Sequence, residues 1–136
     1  MNRCDFACEE LRDYGGEPVA LNIERLARKN SNFRIALWTG KYLQTTLMSI
    51  PTGGEIGIEN HHDTDQFIRI VQGRGVVFFG KTREDMREAK RVDGNYGVFV
   101  PAGTWHNIKN IGNTPLKLYS IYSPPHHLFG TVEKYG

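Results

Sequence analysis

The sequence predicts an all-β chain, an antiparallel sandwich or barrel. Three observations carry that expectation. Short runs of β-formers recur from about residue 31 onward, with turn signals between them roughly every eight to twelve residues. "FRIALW" alternates with a period of two: Phe33, Ile35 and Leu37 face one way, Arg34 and Ala36 the other. "PLKLYSIYSPP" alternates likewise, with Leu116, Leu118 and Ser120 on one face and Tyr119 and Ile121 on the other.

Residues 1–30 are polar and read as an N-terminal extension; residues 31–136 form the domain proper. Within the extension, "CDFACEELRDY" is the most plausible α-helix. It has Phe6, Leu11 and Tyr14 near helical spacing and stops at Gly15-Gly16. "NIERLARKN" reads as a further short helical turn. "FRIALW" then opens the β region, Thr39-Gly40-Lys41 makes a tight turn, and "YLQTTLMSI" runs to Pro51. "PTGG" is a turn leading into "EIGIE". "QFIRIVQG" and "GVVFFGK" are strands joined across "QGRG" as a hairpin. "TREDMREAKRVDGN" is a charged link, a turn plus a short edge strand. "YGVFVPAG" is a strand ending at Pro101, "TWHNIKN" a short strand, and "HHLFGTVEKYG" an irregular tail.

Composition excludes several function classes. The 136 residues suit one compact domain. Lys and Arg (17) are interleaved with Asp and Glu (15), and no basic stripe supports nucleic-acid binding. No stretch approaches a membrane span, and the N-terminus lacks the apolar core of a signal peptide, so a cytoplasmic location is expected. Cys4 and Cys8 are four apart; in a reducing compartment they are expected to be free thiols on a loosely held segment.

The chemistry concentrates at the histidines. All five fall in three short stretches: His61 and His62, His106, and His126 and His127. Glu59 and His61 are two apart, which puts both side chains on the same face of a strand. His62 points away or sits in the turn, where Asp63 and Asp65 are expected to cap. Gln66 opens the next strand and can lie across a hairpin from the Glu59/His61 pair. His106 comes from a separate strand after "PAGTW", and Trp105 points to the opposite side. Imidazole and carboxylate suit Zn, Fe(II), Mn or Ni. A Gln amide oxygen is a neutral, weaker ligand. With Glu59 as the only anion, such a site keeps a net charge of about +1 around one divalent metal ion, which favours an anionic or enolate-like substrate.

These residues resemble a known family. The first cupin motif is Gly, five residues, His, one residue, His, four residues, Glu, six residues, Gly. Here those positions are Gly53, Glu59, His61, Gln66 and Gly73. The second is Gly, five residues, Pro, one residue, Gly, two residues, His, three residues, Asn. Here it reads Asn95, Pro101, Gly103, His106 and Asn110. The spacing agrees throughout, and the likeness extends over roughly residues 33–123. It implies a double-stranded β-helix, the jelly roll or cupin barrel. Small microbial cupins with a "DQFIRI" strand and a "PAGTWHN" loop are similar, some of them labelled mannose-6-phosphate-isomerase-like. His61 and His106 take the family's ligand positions directly. Glu59 stands where a His is usual and Gln66 where a Glu is usual, so these two carry over by position and ligand ability. Asn95 replaces a Gly and tolerates positive φ.

Bland readings stand beside these. Glu59 can be a solvent-facing edge charge, Gln66 a residue that orients the site without touching metal, and His61 and His106 a buried hydrogen-bonded pair. In "SPPHHLFG", two prolines stiffen a segment that delivers His126 and His127 either to a surface loop or to the barrel mouth. His127 is the candidate acid/base there, and Glu59 a second candidate base. Tyr119, Tyr122, Phe67, Phe79, Phe99 and Trp105 are expected in the core or pocket wall. The family implies dioxygenases, decarboxylases and sugar isomerases, alongside binding modules. The leading expectation is a metal-dependent enzyme acting on a small hydroxy-, keto- or sugar-like molecule. The alternative is a non-catalytic module holding a small carbohydrate or acid. A homodimer is expected, since cupins often pair through edge strands.

Overall fold

A computed structural model describes residues 9–136. Nine strands follow one short helix, α1 (Ile23–Lys29). They are β1 (Arg34–Thr39), β2 (Gln44–Ile50), β3 (Asp65–Gln72), β4 (Gly75–Gly80), β5 (Arg87–Val92), β6 (Gly97–Val100), β7 (Trp105–Asn110), β8 (Leu116–Ser123) and β9 (Val132–Glu133). A six-stranded sheet runs β6-β3-β8-β2-β1-β9, and a three-stranded sheet runs β5-β4-β7. All pairings within the two sheets are antiparallel. The segment after Pro51 lies along the free edge of β7: Ile56 N donates to Ile108 O, and Glu59 and His106 exchange both backbone bonds at 2.9 Å. This is the all-β jelly roll that the motif spacing implies.

The connection across "QGRG" differs from a hairpin. β3 pairs with β6 and β8, while β4 pairs with β5 and β7, so Gly73-Arg74 carries the chain from one sheet to the other. Gly73 has φ 93°, and a Cβ there would meet Pro115 O at 3.0 Å. A sharp crossing in this space needs glycine. Gln66 likewise does not lie across a hairpin from Glu59 and His61: the Glu59 segment bridges to β7, while Gln66 enters the interior from β3 in the other sheet.

The helix also lies elsewhere than expected. Among the described residues, 9–14 form no helix. Tyr14 N donates to Leu37 O at 2.8 Å and Thr39 N to Gly15 O at 3.2 Å, so the segment satisfies its backbone on the edge of β1. A bulge in the β1–β2 register between Ala36 and Trp38 accompanies this. The helix forms over Ile23–Lys29 instead. Asn22 caps it by accepting from Arg25 N at 3.0 Å, Glu24 lies in its first turn, and Arg28 and Lys29 lie in its last. Phe6, Cys4 and Cys8 lie outside the described residues.

α1 and the preceding segment cover the outer face of the six-stranded sheet. Leu26, Ala27, Ile35, Leu37, Leu47 and Val71 form a cluster there, flanked by Leu11, Tyr14 and Tyr119. Ile35 and Leu37 therefore point outward to this cover and Arg34 and Ala36 into the barrel, whereas Phe33, which precedes β1 and was expected on the face of Ile35 and Leu37, joins the interior core. The interior core is a second cluster that includes Met48, Ile50, Ile68, Ile70, Val77, Val98, Ile108, Leu116 and Leu118, with Phe79 packed on it. Phe99 is 74% exposed and its ring lies 4.9 Å from that of Phe67, tilted by 43°; the two line a groove on the outside of the barrel with Pro101, Ile121 and Ser123.

The strand registers divide the interior into tiers. Gln44, Tyr122 and Gln66 are cross-strand neighbours at one end. Thr46, Ser120 and Ile68 form the next tier, and Met48, Leu118 and Ile70 the third. Side chains two apart share a face, so one end of the barrel is lined with polar groups and the other is dry.

Candidate metal centre

The polar end gathers Glu59, His61 and His106. One ligand atom from each lies within 4.8 Å of the others. Glu59 Oε1 is 3.9 Å from His61 Nε2 and 3.9 Å from His106 Nε2. The backbone exchange between Glu59 and His106 fixes this juxtaposition, and Gly103 N donates to His61 O at 2.7 Å from the β6–β7 turn. The motif glycines serve this path: Gly53 and Gly103 adopt φ 78° and 86°. Asn95 has φ 75°, the left-handed conformation expected where the family has Gly. Asn110 ties the far end together, donating to Ile50 O and Thr114 O and accepting from Gly112 N.

The ring of His106 is oriented. Its Nδ1 lies 3.0 Å from Thr104 O, which makes Nδ1 the protonated nitrogen and leaves a lone pair on Nε2. His106 Nε2, both ring nitrogens of His61 and Glu59 Oε1 are buried without a hydrogen-bond partner. Gln66 shows the same feature. Its Nε2 donates to Ser120 Oγ at 3.2 Å, while Oε1 is buried and unpartnered. Buried polar atoms are rarely left so. Five such atoms on the four residues of the motif make a donor set suited to a divalent ion, two imidazoles, one carboxylate and one amide oxygen. The buried hydrogen-bonded pair is not found: His61 and His106 lie with ring centroids 5.4 Å apart and no bond between them.

Burial keeps the imidazoles neutral. It pushes His61 down to about 4, aided by His126, His106 and Arg34. His106 is lowered by burial, opposed by its bond to Thr104. Glu59 is raised because burial outweighs the attraction of Arg34. Neutral imidazoles are the form that ligates a metal.

Around the centre, "SPPHHLFG" comes to the barrel mouth. The His126 ring lies 4.0 Å from that of His61, and His127 Nε2 is 3.3 Å from the Tyr122 hydroxyl. Burial pushes His127 down to about 3 and Tyr122 up to about 12. His62 is exposed, as expected of a turn residue. Asp65 accepts from Ala102 N at 2.9 Å and so caps the Pro101 turn.

Two interior residues escaped the sequence reading. Gln44, fully buried, accepts from His126 N (3.1 Å) and His127 N (2.8 Å) and donates to His127 O (2.9 Å) and Thr39 Oγ1 (3.0 Å). It pins the mouth segment. Arg34 places Nη2 3.6 Å from Glu59 Oε2 and Nη1 2.6 Å from Glu133 Oε1. The signal available for Arg34 was its alternation with Ala36 opposite Ile35 and Leu37. That pattern marks its face as inward only once α1 is known to cover the other.

Comparison with known proteins agrees with this geometry. A family model described as Cupin domain matches residues 46–122, a span holding both motifs. The Bacillus subtilis (strain 168) protein YrkC, itself uncharacterized, is 54% identical over 124 residues, covering 91% of this chain and 67% of that protein. The crystal structure of BH2720 from Bacillus halodurans superposes with a TM-score of 0.89 at 49% identity, covering 91% and 94% of the two chains. Bacillus subtilis oxalate decarboxylase, studied for its Mn(II) centres, shares the fold at a TM-score of 0.59 and 19% identity, over 65% of this chain and 23% of that one. With more than half of its length matched by the family model, the chain belongs to the cupin domain family.

Proposed function

We propose that this cupin holds one divalent metal ion on Glu59, His61, His106 and Gln66, and that it is a metal-dependent enzyme acting on a small hydroxy-, keto- or sugar-like molecule. The observation that carries the reading is the set of buried, unpartnered donor atoms on these four residues. A bound divalent ion would supply Lewis-acid polarisation of a carbonyl or hydroxyl oxygen. The Mn(II) centres of the structurally similar oxalate decarboxylase support Mn as one candidate, alongside Zn, Fe and Ni. Glu59 and His127 are the proposed proton-handling groups: the first is a half-paired carboxylate beside the imidazoles, and the second sits at the mouth against the Tyr122 hydroxyl. Exposed Phe99, packed on half-buried Phe67, supports a homodimer, which sedimentation at micromolar concentration tests; monomer alone contradicts it.

The test of the metal reading is metal content after purification without added metal. One equivalent in the wild type, lost in His106→Ala, is the expected result. Substoichiometric metal that Gln66→Glu leaves unchanged would favour a non-catalytic binding module.

A further inference from the structure

Arg34 is a buried cation in the barrel interior whose fork is only partly used. Its side chain is 8% exposed. Nη1 bonds Glu133 Oε1 at 2.6 Å, but Nη2 reaches Glu59 Oε2 only at 3.6 Å and otherwise meets Met48 Sδ at 3.7 Å. Nε is buried with no acceptor at all. A guanidinium is best satisfied by an oxyanion that takes two parallel N–H donors. Neither acid provides that here. Glu59 turns its other oxygen, Oε1, toward the two imidazoles.

Glu133 is the weaker tenant of the pair. It lies on β9, a strand of two residues held to β1 by two register pairs, and its side chain is 42% exposed. Arg34 sits on a strand buried on both faces. With a divalent ion in place, the ion and Arg34 together exceed Glu59 and Glu133 by one positive charge, and the surrounding imidazoles and amides are neutral.

We propose that Arg34 is the substrate-recognition residue of this site: it receives the carboxylate of a small monoanionic hydroxy- or keto acid beside the metal, displacing Glu133, which holds that position in the free protein. This rests on the metal reading above and names its substrate class.

Calorimetric titration of the Mn(II)-loaded full chain with glycolate and with ethylene glycol, a neutral molecule of similar size, tests it. Glycolate should bind at least about tenfold more tightly than ethylene glycol, and Arg34→Gln should erase most of that preference, since a charge-assisted pair is lost. Glu133→Gln should tighten glycolate several-fold by removing the internal competitor. Equal binding of the two probes, an unchanged preference in Arg34→Gln, or weaker glycolate binding in Glu133→Gln would each overturn the assignment. If Arg34→Gln does not fold, the wild-type preference and the Glu133→Gln shift still decide. If the wild type takes up none of Mn, Fe, Zn and Ni, the metal reading fails; Arg34-dependent glycolate binding to the metal-free chain would then uphold the anion site, and its absence would overturn it.

Discussion

At the scale of single residues, the exchange of roles between Glu59 and Gln66 has measurable consequences. Removing the sole carboxylate ligand with Glu59→Gln should weaken metal binding by at least about 100-fold, beyond what loss of an orienting partner costs. Gln66→Glu should tighten it by adding a second anion. Competition against a fluorescent chelator measures both. The pH dependence follows from the neutral histidines. His61 in the folded chain sits near 4, below its ordinary 6.5, and His106, His126 and His127 are shifted in the same direction. The unfolded chain therefore binds more protons than the folded one as pH falls below 6.5, and the metal-free protein should lose stability progressively from there toward 4. Glu59, raised above 4.5 by burial, works in the opposite sense, since the folded chain holds its proton more tightly than the unfolded one. Urea unfolding at pH 7, 6 and 5 gives the sign: stability that is flat or rises with acidification contradicts the burial of neutral imidazoles.

At the scale of elements, the sheet-to-sheet crossing and the mouth segment are the exposed points. Gly73→Ala meets both a positive φ and the Pro115 carbonyl, and should destabilise by about 2 kcal/mol or more. Asn95→Gly relieves backbone strain but forfeits the 2.6 Å bond from Arg69, so it should stay within about 1 kcal/mol of wild type. Thermal denaturation compares the two. Gln44→Leu removes four hydrogen bonds and leaves the backbone amides of His126 and His127 without their acceptor. Limited proteolysis should then cut within residues 124–130 faster than in wild type. An unchanged cleavage rate would show that other contacts hold the segment.

At the scale of the whole molecule, the barrel has two cores, one inside and one beneath α1. Leu26→Ala, in the outer core, should cost about 2–5 kcal/mol while leaving metal content intact. That separation distinguishes the cover from the site. Much of the architecture was legible because it rests on local rules. The period-two runs gave β1 and β8, and the motif spacing brought Glu59, His61, Gln66 and His106 to one end of the barrel. What escaped depends on long-range packing. Which face of β1 looks inward is set by how α1 and residues 9–22 fold back over the sheet, so Arg34 gave no local sign of its burial. The "QGRG" turn has hairpin composition, but the next strands each found better partners in different sheets. The helix expected before Gly15 lost to backbone bonds with β1 over its described part.

The central claim is that the unpartnered donors of the motif form a metal centre. Mass-spectrometric metal analysis of wild type and His106→Ala, purified side by side without added metal, tests it most directly. One equivalent of a divalent transition metal in the wild type and almost none in the folded variant is the predicted result; equal metal content in the two, or none in either after Mn, Fe, Zn and Ni are offered, would contradict it.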